Sequence, residues 1–200
     1  MIDRRPSTAP ATPGEGAGVA PIPGVPPVAG VLGLPAGGWR HHHLLDVDVL
    51  SAAETELVMR TTDSMREVLA RPIAKVPALR GTNVTILFYE ASTRTRVSFE
   101  VAAKNLSADV VNIATSTSSV TKGESFLDTL RTIEALGAGM LVLRHSFSGA
   151  PYLAAEAFRG SVLNGGDGWH AHPTQALLDL YTMRSHLGGS MAGRKVVILG

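Results

Sequence analysis

An α/β fold, a parallel sheet with helices on both faces, is expected from three features of this sequence. From Leu45 onward, short apolar runs such as Asn83-Val84-Thr85-Ile86-Leu87-Phe88 alternate with amphipathic stretches. The alternation has the pitch of βαβ units, whose right-handed crossovers lay helices against the sheet. The runs are apolar at consecutive positions, as strands buried on both faces are.

The elements follow in order. Ser51 and Glu54 form a capping box, after which Leu57, Val58, Thr61, Met65, Val68 and Leu69 recur at helical spacing up to the stop at Arg71-Pro72. The strand over Asn83–Phe88 leads into a helix with Phe99, Ala102, Ala103 and Leu106 on one side. A strand near Val110–Ile113, a helix near Phe126–Leu136 and a strand over Met140–Leu143 come next. A helix near Tyr152–Phe158, a strand over Ser161–Leu163 and a long helix from Pro173 to Leu187 complete the alternation. The final run, Lys195-Val196-Val197-Ile198-Leu199-Gly200, reads as one more buried strand.

Three regions are therefore expected: a leader over 1–43, an α/β domain over 44–188, and over 189–200 the first strand of a second, truncated domain. Residues up to Arg40 hold eight of the 12 prolines and eight of the 21 glycines with no apolar period, too little to offset ordering entropy. The leader is expected to be disordered. Gly14, Gly16 and Gly18 resemble a dinucleotide fingerprint, but no strand precedes them and no helix follows. His41, His42 and His43, at the edge of the leader, are expected to be solvated and without function.

Composition excludes several classes of function. With 18 basic and 17 acidic residues interspersed and a net charge of +1, there is no basic stripe for nucleic acid. No apolar run reaches the ~18 residues that would span a bilayer, and no secretion signal is evident, so a cytoplasmic protein with no membrane partner is expected. The absence of cysteine removes thiolate nucleophiles and thiolate metal sites.

The chemistry concentrates beyond the carboxyl ends of the expected strands, where open parallel sheets bind ligands. In Tyr89-Glu90-Ala91-Ser92-Thr93-Arg94-Thr95-Arg96 a strand passes through a turn into a helix that Ser92 or Thr93 can cap. Arginines in a first turn oppose the helix dipole unless an anion sits there, and Arg94 can fork onto two oxygens of a phosphate. The polar loop from Ser116 to Ser125 carries Ser118 and Lys122. Leu143-Arg144-His145 delivers an arginine that either faces the crevice or caps a neighbouring helix. Asn164-Gly165-Gly166-Asp167-Gly168 reads as a flexible turn that sets His172 at a helix start, with Pro173 at the first helical position and Gln175 one turn on.

His170 and His172 lack a third metal ligand at a suitable spacing, so no metal is expected. A helix N-terminus disfavours imidazolium, which leaves His172 neutral and able to donate to a carbonyl oxygen. Phosphate ligands, an arginine, a neutral histidine and an amide, without a nucleophile–base pair, suit an acyl phosphate and a developing oxyanion.

These motifs resemble the aspartate and ornithine carbamoyltransferases. Ser92-Thr93-Arg94-Thr95-Arg96 is similar to the carbamoyl-phosphate signature of both branches. Lys122-Gly123-Glu124-Ser125, Arg144-His145 and the Gly-Asp-Gly turn followed by His172-Pro173-Thr174-Gln175 resemble the aspartate branch, since ornithine enzymes usually have Cys where Thr174 stands. The resemblance implies that Ser92, Thr93, Arg94 and Thr95 hold phosphate, that Thr95, Arg144 and His172 polarise the carbamoyl carbonyl, and that Gln175 holds its amino group. It implies a homotrimer with shared sites, Ser118 and Lys122 reaching the neighbouring subunit's site and Lys122 also touching aspartate. No cofactor is implied. The implied reaction carbamoylates L-aspartate in pyrimidine biosynthesis, with a regulatory chain or a dihydroorotase as possible partners. A truncated carbamoyl-phosphate-binding module, an ornithine enzyme and a dinucleotide-binding protein are the competing readings.

Overall fold

A computed structural model describes residues 39–114 and 125–199 of the chain. Its elements are α1 (Ala52–Leu69), β1 (Asn83–Phe88), α2 (Thr93–Asn105), β2 (Asp109–Ala114), α3 (Phe126–Ala135), β3 (Ala138–His145), α4 (Ala150–Ala157), β4 (Ser161–Asp167) and α5 (Pro173–His186). The capping box forms as the sequence suggests: Ser51 Oγ accepts from the Glu54 N–H at 3.2 Å, and the Ser51 N–H donates to Glu54 Oε2 at 2.9 Å. A 3-10 turn over Pro77–Leu79, which periodicity does not signal, links α1 to β1.

All strand pairs are parallel, in the order β2-β1-β3-β4. The central strands are two-faced. Val84, Ile86, Phe88 and Val142 join Ala103 of α2 on one side, whereas Leu87, Leu141 and Leu143 pack with Leu130 and Ile133 of α3 and Ala154 of α4 on the other. Alternate side chains thus serve opposite cores, which is why the runs are continuously apolar. The chain moves outward from β1 to β2, then returns to place β3 on the other flank of β1. That reversal opens a crevice at the carboxyl ends of β1 and β3.

Three sequence expectations change. The Asn164–Gly168 segment is no flexible turn: β4 runs through Asp167, and Asn164 and Asp167 are buried because their side chains satisfy nearby backbone groups. The histidine tract is docked rather than solvated. The His43 Nδ1 accepts from the Val162 N–H at 3.1 Å, His42 Nε2 lies 3.1 Å from the Arg159 carbonyl oxygen, and Leu44 bridges Leu163 as a one-residue extension of the sheet. Finally, residues 194–199 form no strand, and Ile198 and Leu199 are each 91% exposed. A strand needs a neighbour for its backbone groups, and no described residue pairs there.

Leu141 is fully buried at the centre of the sheet. Its replacement by alanine is expected to lower the unfolding free energy by about 2–5 kcal/mol. Urea titration with an unchanged slope would show this; a loss under about 1 kcal/mol would mean that the sheet–helix interface collapses to fill the space.

Candidate active site

The β1–α2 connection builds the first wall of the crevice. Ser92 occupies the N-cap of α2 in extended geometry, but its hydroxyl donates to Thr95 Oγ1 at 2.9 Å instead of accepting from the helix backbone. The first-turn N–H groups are left without that cap. No acidic residue lies in this turn, so Arg94 and the helix dipole both favour an anion.

Arg144 enters from the end of β3, opposite Phe88 in the register. Of the two placements open to it, the structure takes the crevice. Its Nη1 donates to the Gly165 carbonyl at 3.0 Å, and its Nη2 pairs with Glu90 Oε2 at 3.1 Å. The Nε is buried without a hydrogen-bond partner among the described residues. The guanidinium can lie this close to β4 because Gly166, at φ 115°, has no side chain: a Cβ there would collide with Arg144 Nη1 and sit 3.3 Å from His172 Cδ2.

His172 is the N-cap of α5, with Pro173 at the first helical position as expected, and its carbonyl accepts from the N–H groups of Gln175 and Ala176. Burial, and after it the Arg144 guanidinium, pushes the imidazole below its ordinary value. The direction is the one expected from the sequence, but burial is the main cause where the helix terminus was expected to be. Gln175 Nε2 donates to Asp179 Oδ1 at 2.9 Å along α5.

These elements enclose a cleft of about 790 Å³ whose lining includes Ser92, Arg94, Thr95, Arg144, His172 and Gln175. Thr93 is exposed and outside this lining. Ser118 and Lys122 lie outside the described residues. Sequence reasoning missed Ser98 and Thr174, which add hydroxyls, and Phe99, Ala102 and Leu178, which form an apolar wall. Helical spacing could have found Ser98 and Phe99, one turn beyond Arg94 and Thr95. Glu90 had no signal of its own, because its role depends on where β3 sends Arg144.

The α2 terminus, the Arg144 guanidinium and the His172 imidazole thus line one cleft, an arrangement whose charge and dipole favour an anion. The same residues match a family model. Residues 42–185 fit the aspartate/ornithine carbamoyltransferase, carbamoyl-P binding domain.

The chain belongs to this carbamoyltransferase family.

Similar proteins include the aspartate carbamoyltransferase catalytic subunits of Dehalococcoides mccartyi, 56% identical over 163 residues, and of Roseiflexus sp., 60% identical over 161 residues. These matches take in 82% and 80% of this chain but 49% and 50% of the relatives, so the chain spans about half their length. A crystal structure of aspartate transcarbamoylase from Trypanosoma cruzi in complex with aspartate and phosphate is 34% identical with a TM-score of 0.69, covering 82% of this chain and 48% of that one. Another from the same organism, in complex with carbamoyl phosphate, has the same identity and TM-score. The matched carbamoyltransferase region includes every described element from α1 to β4 and nearly all of α5.

The depressed pKa of His172 has a testable sign. The folded chain binds a proton at this ring less readily than the unfolded chain, so the associated stability is present above the ordinary value and declines as pH falls through the folded one. An NMR titration of the ring is expected to give a midpoint below 6.5. Inorganic phosphate should raise it by supplying an opposite charge nearby. A midpoint at or above 6.5 would mean that the ring is more hydrated than its placement implies.

Proposed function

We propose that this chain forms the carbamoyl-phosphate side of an aspartate carbamoyltransferase active site. The observation that carries this reading is the convergence of the α2 N-terminus, Arg144 and His172 on one cleft. Ser92, Thr93, Arg94 and Thr95 hold the phosphate. Thr93 takes part through its backbone N–H, since its side chain lies outside the cleft lining. Thr95, Arg144 and His172 donate to the carbamoyl oxygen, and Gln175 turns from Asp179 to hold the amino group. The α-amine of L-aspartate attacks the carbonyl carbon and negative charge gathers on the oxygen. The C–O bond to phosphate then breaks, the amine loses a proton, and N-carbamoyl-L-aspartate and phosphate depart.

The donors are placed before the charge appears, in a partly buried site where they act more strongly than in water. No step calls for a cofactor. Aspartate, in place of ornithine, is the acceptor supported by the relatives' names, and product analysis with each amine tests the choice. The aspartate side requires Lys122 and residues like those in the other half of the relatives. We further propose a cytoplasmic homotrimer in which Ser118 and Lys122 serve the adjacent site; native mass spectrometry would also reveal a bound regulatory chain or dihydroorotase.

Arg94→Ala is expected to weaken carbamoyl-phosphate binding by about 1.5–3 kcal/mol, the range of a charge-assisted hydrogen bond, with the fold intact. Calorimetric titration measures this, and an unchanged affinity would remove Arg94 from the phosphate site.

Shared sites give a second expectation. In chains of the relatives' full length, mixed trimers of Arg94→Ala and Lys122→Ala subunits should regain activity that neither parent has, because some sites draw both intact residues. Hybrid trimers that form without activity would place Lys122 in its own chain's site.

A further inference from the structure

The most enclosed charged side chain near the cleft is one that does not line it. Asp167 is 1% exposed, and its carboxylate meets four groups from three places in the chain. Oδ1 accepts from Asn164 Nδ2 at 2.8 Å and from the Ala171 N–H at 3.1 Å, while Oδ2 accepts from the Gly149 N–H at 2.8 Å. His170 Nδ1 lies 3.1 Å from Oδ2. The backbone of Asp167 adds to this: its N–H donates to the Ala171 carbonyl at 3.1 Å. Asn164, tied to the same carboxylate, accepts from the Gly166 N–H at 2.8 Å and donates to the Leu45 carbonyl at 3.0 Å.

Two of these bonds bear on reacting groups. Ala171 immediately precedes His172, so its N–H bond to Asp167 fixes where the imidazole leaves the backbone. Gly166 lies beneath the Arg144 guanidinium and beside the His172 ring, so the Asn164 bond to its N–H holds open the gap both occupy. A carboxylate is suited to this because it is acceptor-only and can take N–H donors on both oxygens. An amide would turn donors toward donors.

We propose that Asp167 is a positioning residue for carbamoyl transfer, acting through His172 by locking the loop between β4 and α5. This rests on the role assigned to His172 above. The consequence is specific: losing Asp167 should damage the step in which His172 donates to the charged oxygen more than it damages the phosphate contacts at α2, which Asp167 does not touch.

A double-mutant cycle on kcat, measured in full-length chains, tests this. Asp167→Asn and His172→Ala are each expected to lower kcat on the order of 10²-fold, as for a misplaced or lost oxyanion donor. Combined, they should cost little more than the worse single change, because the second removes a group the first has already displaced. Affinity for inorganic phosphate, measured by calorimetry, should stay within a few-fold of the unaltered protein in Asp167→Asn. Losses that multiply, or phosphate affinity falling in step with kcat, would make Asp167 a general structural support and overturn the proposal while leaving the site reading intact. An unchanged kcat in His172→Ala would remove both. Should Asp167→Asn not fold, His170→Ala takes its place in the cycle, since it deletes one partner of the same carboxylate from a partly exposed position. A non-multiplicative loss there supports the proposal, and an unchanged kcat overturns it.

Discussion

The parallel pairing of β1 with β3, from Val84 opposite Met140 to Phe88 opposite Arg144, determines where each polar group of the cleft can stand. Because both strands are buried on both faces, neither can slip by one residue without turning its apolar side chains into the wrong core. The register therefore places the last residue of β1 level with Arg144, and the helix beginning after β1 opens within reach of that guanidinium. The α2 end of the cleft and its Arg144 side are products of one backbone ladder.

Charge placement within the cleft is opposed by the dipole at one point and assisted by geometry at others. Arginines at the start of α2 are unfavourable on their own and become favourable beside a phosphate. Arg144 is more constrained: it pairs with Glu90 and the Gly165 carbonyl, so it is partly satisfied before any ligand arrives. Burial, and after it the same guanidinium, pushes the His172 imidazole below its ordinary pKa. Under the proposed reaction, an imidazole with a depressed pKa beside a fixed cation suits an oxygen that becomes negative only during reaction.

Local signals were readable where one element explains them. The capping box at Ser51, the apolar runs of β1 and β3 and Pro173 at the start of α5 each follow from propensity or period, and each lies where the sequence placed it. The misreadings share a cause. Asn164-Gly165-Gly166-Asp167-Gly168 has the composition of a loose turn, and the surrounding donors hold it as a strand end. His42 and His43 read as part of the leader because their partners, Arg159 and Val162, lie far along the chain. The run at Lys195–Leu199 has the pattern of a strand, but pattern alone supplies no neighbour.

By itself the sequence determined the alternation of strands and helices, the two-faced burial of the sheet and the motifs that mark a carbamoyltransferase domain, since each depends on residues close together in the chain. Only the tertiary structure decided which of those residues meet. Arg144 could have capped a helix, and the crevice placement follows from the switch in strand order and the absence of a side chain at Gly166. Asp167 could have been a solvated turn residue, and it became the buried junction of three segments because Asn164, Gly149 and Ala171 present their N–H groups to it from separate parts of the fold. Such convergence depends on distances in space, which spacing along the chain does not encode.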